Sequence, residues 1–420
     1  MKQLLLFPRV LPFVLWLPLH AQVDKEIAPD EKAFLRYMYE QCPQADILQI
    51  DRAAGDYVEL EYLCGGKIVE MGIRGQEVIF VERETDADEV PLEKIRNTID
   101  KRYPGAFIDE VSMLTVKDTS FLKVEVIQEG IEHNLFFTTD GRNYKPRAAL
   151  TSDKWSTDIL EDLGVRGPQG YDLLKPDSVH ELPPILREIS GIATTDGRQL
   201  FCVQDELGVV FEYDLARGKI TNMDRFTDVG DFEDVTLRGG QLLVLRSDGT
   251  IFKIEKGGKV DQMLVQLPTL NAEGLYYDPV AKVLLLASKE AAITGPAHTR
   301  VVHAIDEHGV ASPYLTIDLL ELTREFVARF PSLPAGGLVM DPSAIAVHPI
   351  TGDLYILSAA DRLIAVYNEG LKQIFPLPAA LFFKPEGLAF LADGTMLISS
   401  EGDKKGFTPP SVSVFKYRGR

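Results

Sequence analysis

The sequence predicts an α+β N-terminal domain, a helix plus an antiparallel meander repeated twice, followed by an all-β propeller of five to six blades. Two observations carry this expectation. Between residues 28 and 148 a helical apolar pattern gives way to strand-like alternation, and then does so a second time. Beyond residue 171 a short unit returns five times: a Ser or Glu, a small or acidic residue, then an apolar run, at Ser190, Glu233, Glu273, Ser343 and Glu386. The steps are 43, 40, 70 and 43 residues. A four-stranded propeller blade takes about 40–45 residues, so three of the four steps fit one blade each.

Residues 1–22 are expected to be a secretory signal peptide. A basic start at Lys2 leads into an apolar run from Leu4 to Leu19, broken by Arg9, and then into His20-Ala21-Gln22. Pro8, Pro12 and Pro18 oppose a spanning helix, so the mature chain is expected to be periplasmic or secreted, with no transmembrane segment. The formal charge of −19, from 44 Lys+Arg against 63 Asp+Glu, is spread along the chain. Nucleic acid and anionic membrane would be repelled by that field, which favours cations or neutral ligands as partners. Cys42 and Cys64 are either a disulfide, which an exported protein permits, or two separately buried thiols. Cys202, in an apolar run, reads as a small core residue.

In the first domain, residues 28–148, the helix from Glu31 places Phe34, Leu35, Met38 and Tyr39 on one face before Pro43 stops it. Strands are expected at 57–63, 68–73 and 77–82. The second helix, from Pro91 to Tyr103, carries Leu92, Ile95, Ile99 and Tyr103 on one side, and strands follow at 108–115, 121–128 and 134–138. His133 reads as a surface residue, and no nucleophile–base set or clustered metal ligands are visible here. Tyr103-Pro104-Gly105-Ala106 and the weaker Cys42-Pro43-Gln44-Ala45 make this stretch resemble the PepSY-like, or β-lactamase-inhibitor-like, domains of exported bacterial proteins. The resemblance implies a binding or inhibitory module. Gly164, Gly167, Pro168 and Gly170 break regularity in the linker, residues 149–170.

In the propeller domain, residues 171–420, the first strand of each blade lines the channel, so equivalent residues of all blades converge on one axis. A second polar series lies fifteen residues beyond the first, at Asp205, Asp248, Ser288, Ser358 and Glu401. Glu188 is expected to share the face of Ser190 by strand alternation. Gathered carboxylates repel one another unless a cation neutralises them, and hard oxygen ligands suit Ca2+. The candidate metal ligands are therefore Glu188, Asp205, Glu233, Glu273, Ser343, Glu386 and Glu401. The alternative is that these side chains bond the backbone of neighbouring blades and hold the ring together. The 70-residue step is expected to hold one blade plus a helix over 317–330. The last repeat stops after its third strand, and Tyr171 to Leu174 is the expected source of the fourth.

Leu186-Arg187-Glu188-Ile189-Ser190-Gly191, Gln204-Asp205-Glu206-Leu207-Gly208, Gly230-Asp231-Phe232-Glu233-Asp234, Ala272-Glu273-Gly274-Leu275, Asp341-Pro342-Ser343-Ala344, Lys384-Pro385-Glu386-Gly387 and Ser400-Glu401-Gly402 resemble, in this order, the SdiA-regulated family of bacterial propellers. Asp234 departs from the Glu-Gly of the other glutamate repeats. The resemblance favours six blades and a bound Ca2+, either structural or catalytic. The function expected is that of an exported envelope binding protein for an unidentified small molecule or envelope protein. The rival is a calcium-dependent hydrolase, lactonase-like or phytase-like, using the channel carboxylates. Lys289 and Lys384 are the only cations close to the recurring positions, which weakens the phytase-like alternative; His303 and His348 are the bases a hydrolase would draw on, although His348 reads more simply as a turn residue. No Ser-His-Asp set, phosphate loop, CxxC or HExxH motif occurs, and Gly239-Gly240 and Gly336-Gly337 read as turns.

Overall fold

A computed structural model describes residues 31–419, apart from 53–56, 75–76, 87–88, 117–118, 129–130, 145–156, 269–270, 292–294, 334–337, 404–405 and 407. The signal peptide expected at 1–22, the start of the linker and Gly336-Gly337 lie outside these residues, as do the side chains of Phe34 and His133. Among the described residues no helix is long and apolar enough to cross a membrane.

The N-terminal elements are α1 (Glu31–Gln41), β1 (Asp46–Arg52), β2 (Tyr57–Cys64), β3 (Lys67–Arg74), β4 (Glu77–Glu84), α2 (Leu92–Arg102), β5 (Phe107–Val116), β6 (Thr119–Gln128) and β7 (Ile131–Phe137). The seven strands form one sheet in sequence order. In α1 the buried face is Met38 with Cys42 beyond it and Leu35 beside them, packed on Leu60, Tyr62, Val69 and Met71. Tyr39, expected on that face, is 46% exposed. It stands one position round the helix from Met38, about 100° away, which carries it off the sheet. α2 buries Ile95 and Ile99 as its spacing predicts. A disulfide joins Cys42 to Cys64, with Cα atoms 6.1 Å apart, and ties the end of α1 to the end of β2. Closing such a loop removes roughly 3 kcal/mol of unfolded-state entropy.

The propeller has five blades, each a four-stranded antiparallel sheet. Blade one is 189–194, 199–204, 209–214 and 219–225; blade two is 232–238, 241–246, 250–254 and 260–264. Blade three is 272–278, 283–288, 299–305 and 311–318; blade four is 342–347, 354–358, 363–367 and 371–376. Blade five is 384–390, 396–401 and 411–415, completed by Ser178–Glu181. The first strands touch in cyclic order, and blade five returns to blade one. The ring is thus closed with five blades, and the six favoured by resemblance is corrected. The 70-residue step holds no hidden blade, because the extra length goes into a longer loop after Ser288, the helix Leu319–Arg329 and the segment leading to Pro342. That helix begins later than expected: the outer strand runs on through Ile317 to Asp318, which also caps the helix by accepting from the N–H groups of Leu320 and Glu321.

The closing strand also differs from expectation. Residues 171–174 make a turn rather than a strand, and Tyr171, Leu173 and Leu174 are buried among side chains of blades four and five and the inserted helix. Their apolarity reflects burial, and the closing strand lies seven residues later, at Ser178–Glu181, with Val179 opposite Ser413 and His180 opposite Val412.

The fivefold recurrence has a single structural cause. In every blade the pairing of the first and second strands slips by one residue near the start of the first. The extra residue is Ser190, Glu233, Glu273, Ser343 or Glu386. Each recurring position is a β-bulge, which bends the strand and re-aims the side chain. The residue after the bulge lies against the next inner strand. A Cβ on Gly191 would sit 2.6 Å from the Cα of Asp234, and one on Gly387 would sit 3.1 Å from the backbone nitrogen of Ile192. In blade two Asp234 takes this place and turns the proximity to use. Its carboxylate accepts from the N–H of Val235 at 2.8 Å and from that of Leu275, on blade three, at 2.7 Å.

This crowding gives a graded expectation. Gly191→Ala drives a methyl into backbone and should cost about 2 kcal/mol, as overpacking does. Gly274→Ala meets the neighbouring backbone at 3.1 Å and should cost less. Urea midpoints of the two variants measure the difference; equal midpoints would refute the close-approach account.

Candidate cation site at the bulged ends of the inner strands

The bulges bring side chains from separate blades into one electrostatic cluster. Glu233 of blade two is influenced by Glu273 and Lys289 of blade three, by Glu386 of blade five and by Asp231. Asp205, just past the second strand of blade one, is influenced by Glu188, Glu206, Lys384 and Asp231. Glu401 of blade five is influenced by Lys384, Glu386 and Asp205. Six of the seven predicted ligands, Glu188, Asp205, Glu233, Glu273, Glu386 and Glu401, thereby feel one another's charge, but among the described residues no three of them stand close enough to hold a metal ion. Glu188 joins from a turn just ahead of the first inner strand rather than by strand alternation.

Ser343, the seventh, is occupied with the backbone. Its hydroxyl lies 3.0 Å from the carbonyl oxygen of Pro385, the residue before the blade-five bulge. Ser190 does the same at 2.7 Å to the carbonyl of Phe232, the residue before the blade-two bulge. These two serines and Asp234 act as the structural alternative foresaw: they hydrogen-bond neighbouring blades to one another.

The second polar series is less regular than its spacing of fifteen. Asp248 is exposed, bound by Arg246 at 2.7 Å and by the N–H of Thr250. The Arg246 hydrogen bond comes first among the causes that bring its carboxyl down to about 2. It belongs to a turn and not to the cluster. Counting from the strand pairing, the residue just past the partner of the residue before the bulge is Asp205 in blade one, Lys289 in blade three and Glu401 in blade five. A lysine thus occupies in blade three the place that carboxylates hold in blades one and five.

Lys289 and Lys384 are the cluster's own cations. The Nζ of Lys289 lies 2.6 Å from Glu273 Oε1. That of Lys384 lies 2.7 Å from Glu401 Oε1 and 3.0 Å from Glu386 Oε1. Burial works against both ammonium groups, but the facing carboxylates outweigh it and hold them above the ordinary lysine range. Two ammonium groups do not balance the carboxylates. Burial first, and then mutual repulsion, pushes Glu233 well above the ordinary carboxylate range; burial raises Glu273 and Glu401 as well, against the pull of their lysines. Asp205 is pushed up to about 6, chiefly by burial and by Glu188. Its Oδ1 is buried without a hydrogen-bond partner.

Both histidines considered as bases are taken up by the interior. His303 is buried in blade three, its Nδ1 3.5 Å from the hydroxyl of Ser288. His348 is a turn residue at the far end of the blade-four inner strand from the bulge, with no exposed surface.

No protein-family model matches the chain, and no curated protein matches it. Among solved structures, a BLIP-like protein from Bacteroides fragilis is similar to 28% of this chain over 84% of its own length, with 18% identity and a TM-score of 0.24. Virginiamycin B lyase from Staphylococcus aureus is similar over 89% of this chain and 99% of its own, with 13% identity and a TM-score of 0.32. A chain of a nidogen/laminin complex is similar over 57% of this chain and 89% of its own, with 12% identity and a TM-score of 0.37.

The charge imbalance has a signed consequence for stability. A carboxylate whose folded pKa is raised keeps its proton while the unfolded chain loses one, so it lowers stability as pH rises from about 4 towards the folded value. Glu233→Gln removes that penalty. The variant should match the wild type at pH 4.5 and exceed it by about 1 kcal/mol or more at pH 8, the equivalent of one pKa unit. Chemical denaturation at both pH values measures this; a variant less stable at pH 8 would show that Glu233 is ionised and paired.

Proposed function

We propose that the chain is an exported envelope binding protein whose recognition site is the bulged end of the propeller channel, and that this site takes a cation, Ca2+ being the metal its donors suit. The observation that carries this is the recurring bulge, which places Glu233, Glu273 and Glu386 in one carboxylate-rich cluster with, among the described residues, Lys289 and Lys384 paired against it. The donors are hard oxygens and the cluster carries excess acid, as calcium sites require. The unpartnered Oδ1 of Asp205 is an acceptor already desolvated. Among the described residues no group of three or more His, Cys, Asp or Glu side chains stands gathered as a metal site. Binding would accordingly involve Asp205, Glu188, Glu233 and Glu386 drawing together as the lysines withdraw. A bound cation would supply charge neutralisation in place of the proton that Glu233 retains.

Export is supported by the signal-like pattern of residues 1–22 and by the Cys42–Cys64 disulfide, a bond of oxidising compartments. The PepSY-like boundaries at 28–148, the linker at 149–170 and the SdiA-regulated propeller at 171–420 belong to the same proposal, with a small molecule or an envelope protein as the final partner. His303 and His348 are engaged elsewhere, so the hydrolase alternative would have to draw its base from the channel carboxylates themselves.

Calorimetry with CaCl2 at pH 7.5, repeated in two buffers of different ionisation enthalpy, tests the calcium assignment. Binding with release of at least one proton is expected, and Glu233→Gln with Glu386→Gln should abolish it while the fold persists. No heat, no shift in Tm with CaCl2 or chelator and no metal by elemental analysis would overturn it.

A further inference from the structure

The first hairpin of four blades is held by one side chain that accepts from the backbone two and, in three cases, also three residues on. In blade one Asp196 Oδ1 accepts from Arg198 and Gln199 at 2.9 and 3.1 Å. In blade three Asp278 Oδ1 accepts from Val280 and Ala281 at 2.8 and 3.0 Å. In blade five Asp393 accepts from Thr395 at 2.8 Å. Blade four does this with a histidine: His348 Nδ1 accepts from Ile350 at 3.2 Å and Thr351 at 3.1 Å. An imidazole nitrogen that accepts carries no proton, so the ring is neutral with its hydrogen on Nε2. That Nε2 lies 2.7 Å from the hydroxyl of Tyr171, which in turn donates to the carbonyl of Gly394 in the blade-five hairpin.

Tyr171 links this turn to ring closure. It stands in the segment that leads into the closing strand, between Gly170, whose carbonyl accepts from the N–H of Arg418, and Asp177, which is ion-paired to Arg418 at 2.6 Å. Its ring packs against His348, Tyr355, Phe390 and Tyr417.

We propose that His348 is an acid-sensitive latch on the closure of the propeller. Protonation places a hydrogen on Nδ1, which then faces two backbone N–H groups that have lost their acceptor, and puts a charge into an aromatic enclosure. The hairpin of residues 348–353 opens and the seat of Tyr171 is lost with it. An aspartate in the same place stays an acceptor down to its own, much lower pKa, so this response belongs to blade four alone among the four hairpins. The charged groups around the ring do not remove the effect. Asp353 favours the protonated ring, but it is held by Lys372 at 2.7 Å and by Asn368, and Lys372 opposes the ring's charge. Tyr355 and Tyr417 face the ring with their aromatic faces and edges, and Asp393 stands beside Tyr171 with Lys416 near it. Burial leads these influences and disfavours the imidazolium.

The direction follows from linkage. A histidine whose folded pKa is depressed contributes stability that is present above its unfolded value, about 6.5, and lost as pH falls. This is opposite in sign to the carboxylate cluster at the other end of the inner strands, so the two are separable. Hydrogen–deuterium exchange of the full chain at pH 7.5 and 5.0, corrected for intrinsic rates, tests the latch. Peptides covering 166–176 and 348–353 are expected to lose about tenfold of their protection at pH 5.0, the equivalent of one pKa unit. His348→Asn, which retains an acceptor that does not titrate, should keep that protection at both values. Unchanged wild-type protection, or the same loss in His348→Asn, would overturn the proposal. If that variant fails to fold, 15N NMR of the wild-type imidazole decides: Nδ1 must titrate together with the loss of protection, and independent titration refutes the latch.

Discussion

Everything in the propeller follows from how closely five inner strands approach one another around a common axis. Strands at that spacing leave no room for a side chain between neighbouring backbones, which is why glycine follows the bulge in blades one, three and five. The bulge is the companion of that constraint. A regular strand would send alternate side chains to fixed faces, whereas the extra residue bends the strand and sends one polar group to the crowded end of the channel. Where serine stands there, its hydroxyl bonds the backbone of the next blade. Where glutamate stands there, charge accumulates.

That accumulation is the source of the site's chemistry. Buried carboxylates facing one another have three ways to lower their energy: pair with cations, keep protons or bind an ion. Glu273, Glu386 and Glu401 take the first, through Lys289 and Lys384. Glu233 takes the second. The arrangement is therefore under electrostatic strain, with protons and lysine ammonium groups together offsetting the buried carboxylates.

Much of this was legible from spacing, and the gaps have physical reasons. Ser190, Glu233, Glu273, Ser343 and Glu386 stood out because one backbone irregularity demands similar residues at one place in each blade. The sequence does not say that the irregularity is a bulge, since a bulge is a property of pairing with the second strand. The outermost strands, such as Lys219–Arg225, were invisible because one face is in solvent and the residues there are largely exposed and polar. β1 was missed for a related reason: Leu48, 51% exposed, is the extra residue of a bulge and breaks the alternation between Ile47 and Ile50. Lys289 and Lys384 were noticed as neighbours of the recurring positions but not as their partners, because lysine reach and direction depend on the fold. Asp234 looked like a flaw in the repeat and is instead an acceptor for two backbone N–H groups.

Completion of blade five by Ser178–Glu181 also sets the order in which the molecule can be finished. Lys416 and Asp177, hydrogen-bonded beside this junction, are 239 residues apart in the chain. A chain made from its N-terminus has the closing strand long before it has a partner for it, and four blades can assemble while blade five still lacks an edge. Length itself is a modest obstacle, since each doubling of a loop costs only about 0.6 kcal/mol. Time is the larger one: non-local strand pairing is slow, and an unpaired edge is open to the wrong partner meanwhile. Closing the ring thus requires the two ends of the propeller to meet.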